Sequence, residues 1–176
     1  GKTSIINELE NQKEEVIHEA ATDYILNKIA SGIAEPWKED TFIFDILKVQ
    51  LEREEPYLTK KGRVFVDRGV FDAYSFAMPN NLAGTKTLAA INKLLNPIDL
   101  NQRYKAIFFI LPHSDDFSTH QTEVRRENNF EAAKQEAATF ATYCRHDHFI
   151  LVPGNLSPRD RANFILYKIL EIESQN

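Results

Sequence analysis

An α/β fold built on a mostly parallel sheet is predicted by three apolar runs and by the helical patterns that separate them. The runs are residues 63–67 (RVFVD), 104–111 (YKAIFFIL) and 148–152 (HFILV). Their apolar character is continuous rather than alternating, which marks strands covered on both faces, as in a parallel sheet. Strands that alternate with helices are the pattern of α/β layering.

Taken in order, a helix is expected over 3–12, with Ile5, Ile6 and Leu9 on one side. A weaker strand, 15–18 (EVIH), follows it. Helices over 20–30 and 42–54 lead to the strand 63–67, and a short helix over 71–76 comes next. Residues 79–84 (PNNLAG) carry turn signals and are expected to form a loop. A helix over 85–95 precedes the strand 104–111. The polar, charged stretch 112–129 is expected to be a flap, ahead of a helix over 127–143 and the strand 148–152. The last helix, 158–172, has the clearest start. Ser157 can cap it, Pro158 suits its first position, and Asp160 completes a Ser-x-x-Asp box. Ile165, Ile169 and Ile172, flanked by Leu166 and Leu170, form its expected apolar stripe. Phe42, Phe44, Phe108 and Phe109 are assigned to the core. No internal repeat, low-complexity tract or linker interrupts the chain, so a single domain is expected over 1–176.

Composition narrows the function classes. The 176 residues are 43% hydrophobic, enough for one domain with a substantial core. A net charge of −5 argues against a nucleic-acid partner, which normally meets a basic stripe. No apolar run approaches the ~18 residues of a membrane span, and no signal peptide is visible. Cys144 is the single cysteine, which leaves no internal disulfide and no cysteine-based zinc site. A reducing, cytoplasmic setting is therefore expected. The first residue is Gly rather than Met, so residues upstream of it are expected too.

Gly1-Lys2-Thr3-Ser4 matches the back half of the phosphate-binding motif G-x-x-x-x-G-K-[ST] and opens the first helix. In that motif backbone N–H groups cradle phosphates, the lysine reaches the terminal phosphates and the hydroxyl binds Mg²⁺. A helix N-terminus suits the same anion. Asp67-Arg68-Gly69 closes the strongest strand, and ligands of open α/β sheets bind at the carboxyl ends of strands. A carboxylate there can hold Mg²⁺ directly or through water. It can equally cap the next helix. Glu19 follows the weaker strand and is a candidate to orient or deprotonate a substrate hydroxyl, with helix capping as its structural alternative. Arg125 and Arg126 lie in the flap, just before a helix whose positive end disfavours cations. Guanidinium delivered by a closing segment stabilises charge during phosphoryl transfer, while surface pairs with Glu123 or Glu127 are the plainer role. His113, His120, His146 and His148 fit no zinc spacing, and solvated or strand-edge places are expected for them.

With these segments placed, the chain resembles the small P-loop kinase-like ATPases, an AAA-type group related to nicotinamide-ribonucleotide and deoxynucleoside kinases. The likeness is carried by Gly1-Lys2-Thr3-Ser4, by residues 18–25 (HEAATDYI), by Val66-Asp67-Arg68-Gly69 and by Val124-Arg125-Arg126-Glu127. Val152-Pro153, Ser157, Arg161 and residues 164–166 (FIL) fit it as well. The resemblance implies a P-loop NTPase fold, a three-layer α/β/α domain with a parallel sheet ordered 2-3-1-4-5. It implies ATP or GTP with Mg²⁺ at Gly1, Lys2, Thr3 and Ser4, with Thr3 and Asp67 on the metal side. Glu19 and Arg68 then face a small nucleoside- or nucleotide-like acceptor, Arg125 and Arg126 sit in a lid, and Pro153 lies near the nucleotide base. The expected activity is phosphoryl transfer. A regulatory ATPase or GTPase without a small-molecule acceptor is the alternative. The family's central first strand and glycine turn precede the equivalent of Gly1, so both are expected upstream.

Overall fold

The computed structural model describes residues 1–78, 85–112 and 129–175. The expected loop at 79–84 and the expected flap between 112 and 129, with Arg125, Arg126, His113 and His120, lie outside the described residues. The chain opens with α1 (Lys2–Asn11), β1 (Glu15–Ile17) and α2 (Ala20–Ala30). A 3-10 turn at Pro36–Lys38 leads to α3 (Phe42–Glu54), a second at Glu55–Tyr57 to β2 (Val64–Val66). Then follow α4 (Asp72–Ala77), α5 (Lys86–Leu95), α6 (Leu100–Arg103) and β3 (Ile107–Ile110). The chain ends with α7 (Asn129–Tyr143), β4 (Phe149–Val152) and α8 (Pro158–Ser174).

All described strand pairing is parallel, as the continuous apolar runs require. β1 pairs with β2, Val16 opposite Phe65, and β3 pairs with β4, Phe108 opposite Ile150. The described strands thus form two two-stranded sheets rather than the single sheet expected for 63–67 and 104–111. Both pairs nevertheless pack on one helical layer, and alternation turns other side chains of the β3–β4 pair to a second. Val16, Phe65, Phe108 and Ile110 pack on a core of Ile5, Ile6, Leu9, Val152, Ala162 and Ile165, which belongs to α1, β4 and α8. Ile107 and Phe149 pack on the opposite core, where Leu47, Val70, Ala73, Ile91 and Leu95 meet.

Phe44 and Phe108 pack against the two cores as expected, and three points of burial differ in degree. Phe108 and Phe109 are half-buried, because β3 bonds to a single neighbour among the described residues and its other edge leaves them partly uncovered. Phe42 and Phe44 are also half-buried. Phe42 meets Tyr24 edge-on with ring centroids 5.9 Å apart, and Lys48 lies over the Phe44 ring. On α8 the stripe of Ile165, Ile169 and Ile172 is buried, but Leu170 is 55% exposed. One residue of helix turns the side chain by ~100°, which carries Leu170 out of the stripe that Ile169 occupies.

The start of α8 follows the expected capping chemistry. The Ser157 hydroxyl accepts the Asp160 N–H at 3.1 Å and donates to Asp160 Oδ2 at 2.6 Å, with Pro158 in the first turn. Ser157→Ala should lower stability by about 1 kcal/mol, the usual worth of such a cap. Urea unfolding should show this as a lower midpoint with an unchanged slope.

Candidate functional site

The site is built from the start of α1 and the carboxyl ends of β1 and β2. Ile5, Ile6 and Leu9 bury one side of α1 against α8 and leave its first turn, with Lys2, Thr3 and Ser4, on the surface. Gly1 is the N-cap and supplies no side-chain bond to the turn's amides. Those N–H groups, together with the positive end of the helix, face outward and suit an anion.

β1 and β2 end side by side. The Asp67 N–H donates to the Ile17 carbonyl at 2.8 Å, extending the pairing by one residue. Glu19, N-cap of α2, leaves β1 at the same level. Its Oε1 forms an ion pair with Arg68 Nε at 2.7 Å, and the Arg68 guanidinium lies 5.1 Å from the centre of the Phe76 ring. Arg68 adopts a left-handed φ of 69°. A non-glycine residue there is held by its surroundings rather than by its own preference.

Electrostatics join α1 to this strand end. The Arg68 guanidinium, followed by loss of water, lowers the pKa of the Lys2 ammonium, while Asp67, Asp72 and Glu19 oppose the shift. Lys2 as a whole residue is exposed, so the desolvation applies to its ammonium end. Burial, then the Glu19 charge, raises the Asp67 carboxyl; Arg68, Lys2 and His18 pull the other way. Burial pushes the Asp72 carboxyl up to about 6, against Arg68 and Lys2. Two cations therefore face three carboxyl groups in one cleft. Lys2, Glu19, Asp67 and Arg68 come together there. Thr3 and Ser4 stand on the same first turn of α1, with no described contact joining Thr3 to Asp67. Pro153 follows β4 at its carboxyl end, beside Gly154, whose carbonyl accepts from the buried Arg161 guanidinium.

Asp72 is the residue that sequence reasoning missed. It is 6% exposed, and its Oδ1 has no hydrogen-bond partner among the described residues. The available signal was an acid within the apolar stretch Val70-Phe71-Asp72-Ala73. His146 also departs from expectation, being buried rather than solvated or at a strand edge. Its Nε2 lies 2.8 Å from the Tyr104 carbonyl, and its Nδ1 accepts the His148 N–H at 3.0 Å. These partners assign the proton to Nε2 and leave the ring no capacity for a metal.

A family model described as an AAA domain matches residues 1–159. The chain belongs to the AAA domain family. No curated protein and no solved structure matches it significantly. Membership makes this a P-loop, nucleotide-binding domain of ATPase type, in a family that binds nucleotide with Mg²⁺. The residues present in this AAA domain fit that group. Lys2 and the first-turn amides of α1 suit phosphate oxygens, and Asp67 is a nearby carboxylate. Among the described residues no cluster of three or more His, Cys, Asp or Glu could cage a metal. Mg²⁺ usually binds through one or two carboxylates plus substrate phosphates, which needs no such cage. Among the described residues no helix is long and apolar enough to cross a membrane.

The charge balance carries a cost that pH reveals. Asp72 titrates near 6 in the folded chain and near 3.9 when unfolded, so between these values the folded state binds the extra proton. Stability on this account rises as pH falls from 6 to 4 and is lost as pH rises through 6. Asp72→Asn should therefore be more stable than wild type at pH 7–8, by about 1–3 kcal/mol, with the gap closing near pH 4. Urea unfolding across that range measures it. A variant less stable than wild type at pH 7 would show that Asp72 is a net stabilising partner of Arg68 and Lys2.

Proposed function

We propose that this AAA domain is a Mg²⁺-dependent kinase that transfers a phosphoryl group from ATP, or GTP, to a small nucleoside- or nucleotide-like acceptor. The observation that carries this reading is the convergence of Lys2, Asp67, Arg68 and Glu19, from three separate elements, on one cleft. Lys2 and the first-turn amides of α1 would hold the terminal phosphates, with Thr3 and Asp67 on the Mg²⁺ side and Ser4 beside them. Glu19, at the end of β1, would orient the acceptor hydroxyl, and Arg68 would face the acceptor's charge. Arg125 and Arg126 would supply guanidinium to the transferring group from a lid, and Pro153 would lie near the nucleotide base. Bound Mg²⁺ would supply charge neutralisation at the phosphates.

The two strand pairs fit the outer parts of a kinase-like sheet ordered 2-3-1-4-5, with β1–β2 and β3–β4 flanking the place of the family's first strand. The support is the packing of both pairs on the same α1/α8 layer. A crystal structure in which β2 and β3 hydrogen-bond directly to each other would overturn this order.

The regulatory reading, an ATPase or GTPase without an acceptor, takes its support from the Glu19–Arg68 pair. A carboxylate tied to a guanidinium at 2.7 Å is already engaged and would have to leave that partner to meet a substrate hydroxyl. Two measurements separate the readings. In thermal shifts with ATP and GTP, each with Mg²⁺ and with EDTA, Lys2→Ala should abolish the nucleotide shift. Asp67→Asn should remove only its Mg²⁺-dependent part. A wild-type protein unmoved by either nucleotide would rule out both readings.

Turnover against a panel of nucleosides and nucleotides then decides between them. Arg125→Ala and Arg126→Ala should lower turnover by as much as ~10³-fold, with far smaller changes in nucleotide affinity. Tight nucleotide binding with no phosphoryl transfer to any acceptor supports the regulatory protein. Unchanged turnover in both single variants and the double variant would reduce the pair to surface charge.

A further inference from the structure

The segment from Asp67 to Val70 carries the site's strand-end acid and its arginine in a geometry the chain would not hold unaided. A left-handed residue such as Arg68 is strained when it is not glycine. Gly69 has no room for a side chain. A Cβ there would overlap the Tyr104 hydroxyl and lie 2.7 Å from its Cζ and 3.1 Å from the Tyr143 hydroxyl. The same Tyr104 hydroxyl accepts the Val70 N–H at 2.8 Å. It donates to the Glu54 carboxylate, whose oxygens lie 3.1 Å and 3.0 Å away.

Glu54 is fixed in turn. It accepts from Gln50 Nε2 at 2.8 Å and from Arg103 Nε at 2.9 Å, and both members of the Glu54–Arg103 pair are buried. Tyr104 is held at its other end as well. The His146 ring bonds to its carbonyl, and Phe71 meets its ring edge-on, centroids 6.4 Å apart. Burial, then the Glu54 charge, holds the phenol well above its usual pKa, so it remains a donor. The floor beneath the turn is thus fully bonded at the Tyr104 hydroxyl.

We propose that Tyr104 is a positioning residue for the nucleotide site: through the Val70 N–H it holds the left-handed turn that aims Asp67 and Arg68 into the cleft. The proposal rests on the reading of Asp67 as the Mg²⁺-side carboxylate. A tyrosine that only stabilised the fold would leave that function intact in whatever protein remained folded. Tyr104→Phe keeps the ring packing and removes the acceptor for Val70. Glu54→Gln perturbs the same buried network but leaves the Tyr104–Val70 bond and a neutral acceptor for the phenol.

The experiment is calorimetric titration of ATP with Mg²⁺ and with EDTA, alongside the melting temperature of each nucleotide-free protein. Both variants should melt below wild type. Only Tyr104→Phe should lose the gain in ATP affinity that Mg²⁺ provides, by about 10–100-fold, the usual effect of removing an outer-shell partner. Glu54→Gln should keep that gain. Retention of the gain in Tyr104→Phe, or an equal loss in both variants, would overturn the positioning role while leaving Asp67 in place. A wild-type protein that binds ATP with no gain from Mg²⁺ would instead remove Asp67's role, and the proposal with it. Amide exchange on wild type tests the idea without any variant, should Tyr104→Phe not fold. Val70 should be strongly protected in the nucleotide-free protein, and exchange as fast as an open loop would sink the proposal.

Discussion

The buried carboxylate of Glu54 is the constraint on which much of this molecule depends. At 3% exposure it has left water almost completely, and an ionised group so placed must find its partners within the protein. It finds them on three elements. Gln50 lies one turn earlier on α3, Arg103 ends α6, and Tyr104 starts the approach to β3. Satisfying one charge therefore locks α3 to the α6–β3 connection. The Tyr104 hydroxyl passes the constraint on to the backbone after β2. Around it the largest apolar core closes, with Val70 and Leu95 each 1% exposed. Breaking such a network from one side leaves a buried charge or donor unmet, which costs more than the bond itself contributes.

The candidate site above this network is held at a cost to stability. Asp67 and Asp72 are both buried, and burial is the leading reason that each carboxyl resists ionisation. Lys2 and Arg68 sit close enough for Arg68 to be the leading cause of the lowered Lys2 pKa. Like charges held together in this way cost stability. The left-handed Arg68 belongs to the same account, since local strain persists where the surroundings over-determine it.

The layered arrangement explains why these groups meet at all. Parallel pairing brings the ends of β1 and β2 to the same edge, so Glu19 and Arg68, 49 residues apart in sequence, pair at 2.7 Å. α1 packs across from α8 and delivers its first turn to that edge. Residue alternation along β3 divides its side chains between two cores, Phe108 and Ile110 to one and Ile107 to the other.

Sequence alone determined the order of elements and their character, because those depend on short-range periodicity. The helices at 20–30 and 42–54 have the expected bounds, and α8 begins at the Ser157-Pro158 signal that capping chemistry dictates. The places of Lys2, Glu19, Asp67 and Arg68 in the fold were legible as well, since each stands at a helix start or a strand end. The short α6, a single turn with Asp99 capping it, has no periodicity to read and went unseen. Only the tertiary structure decided which charges face one another, that Asp72 joins them with an oxygen unmet among the described residues, and that His146 is a backbone clamp. It also decided that the described strands stand as two pairs, leaving Phe108 and Phe109 half-covered. These outcomes depend on contacts between residues far apart in sequence and on the balance of burial against charge. Neither leaves a local pattern in the chain.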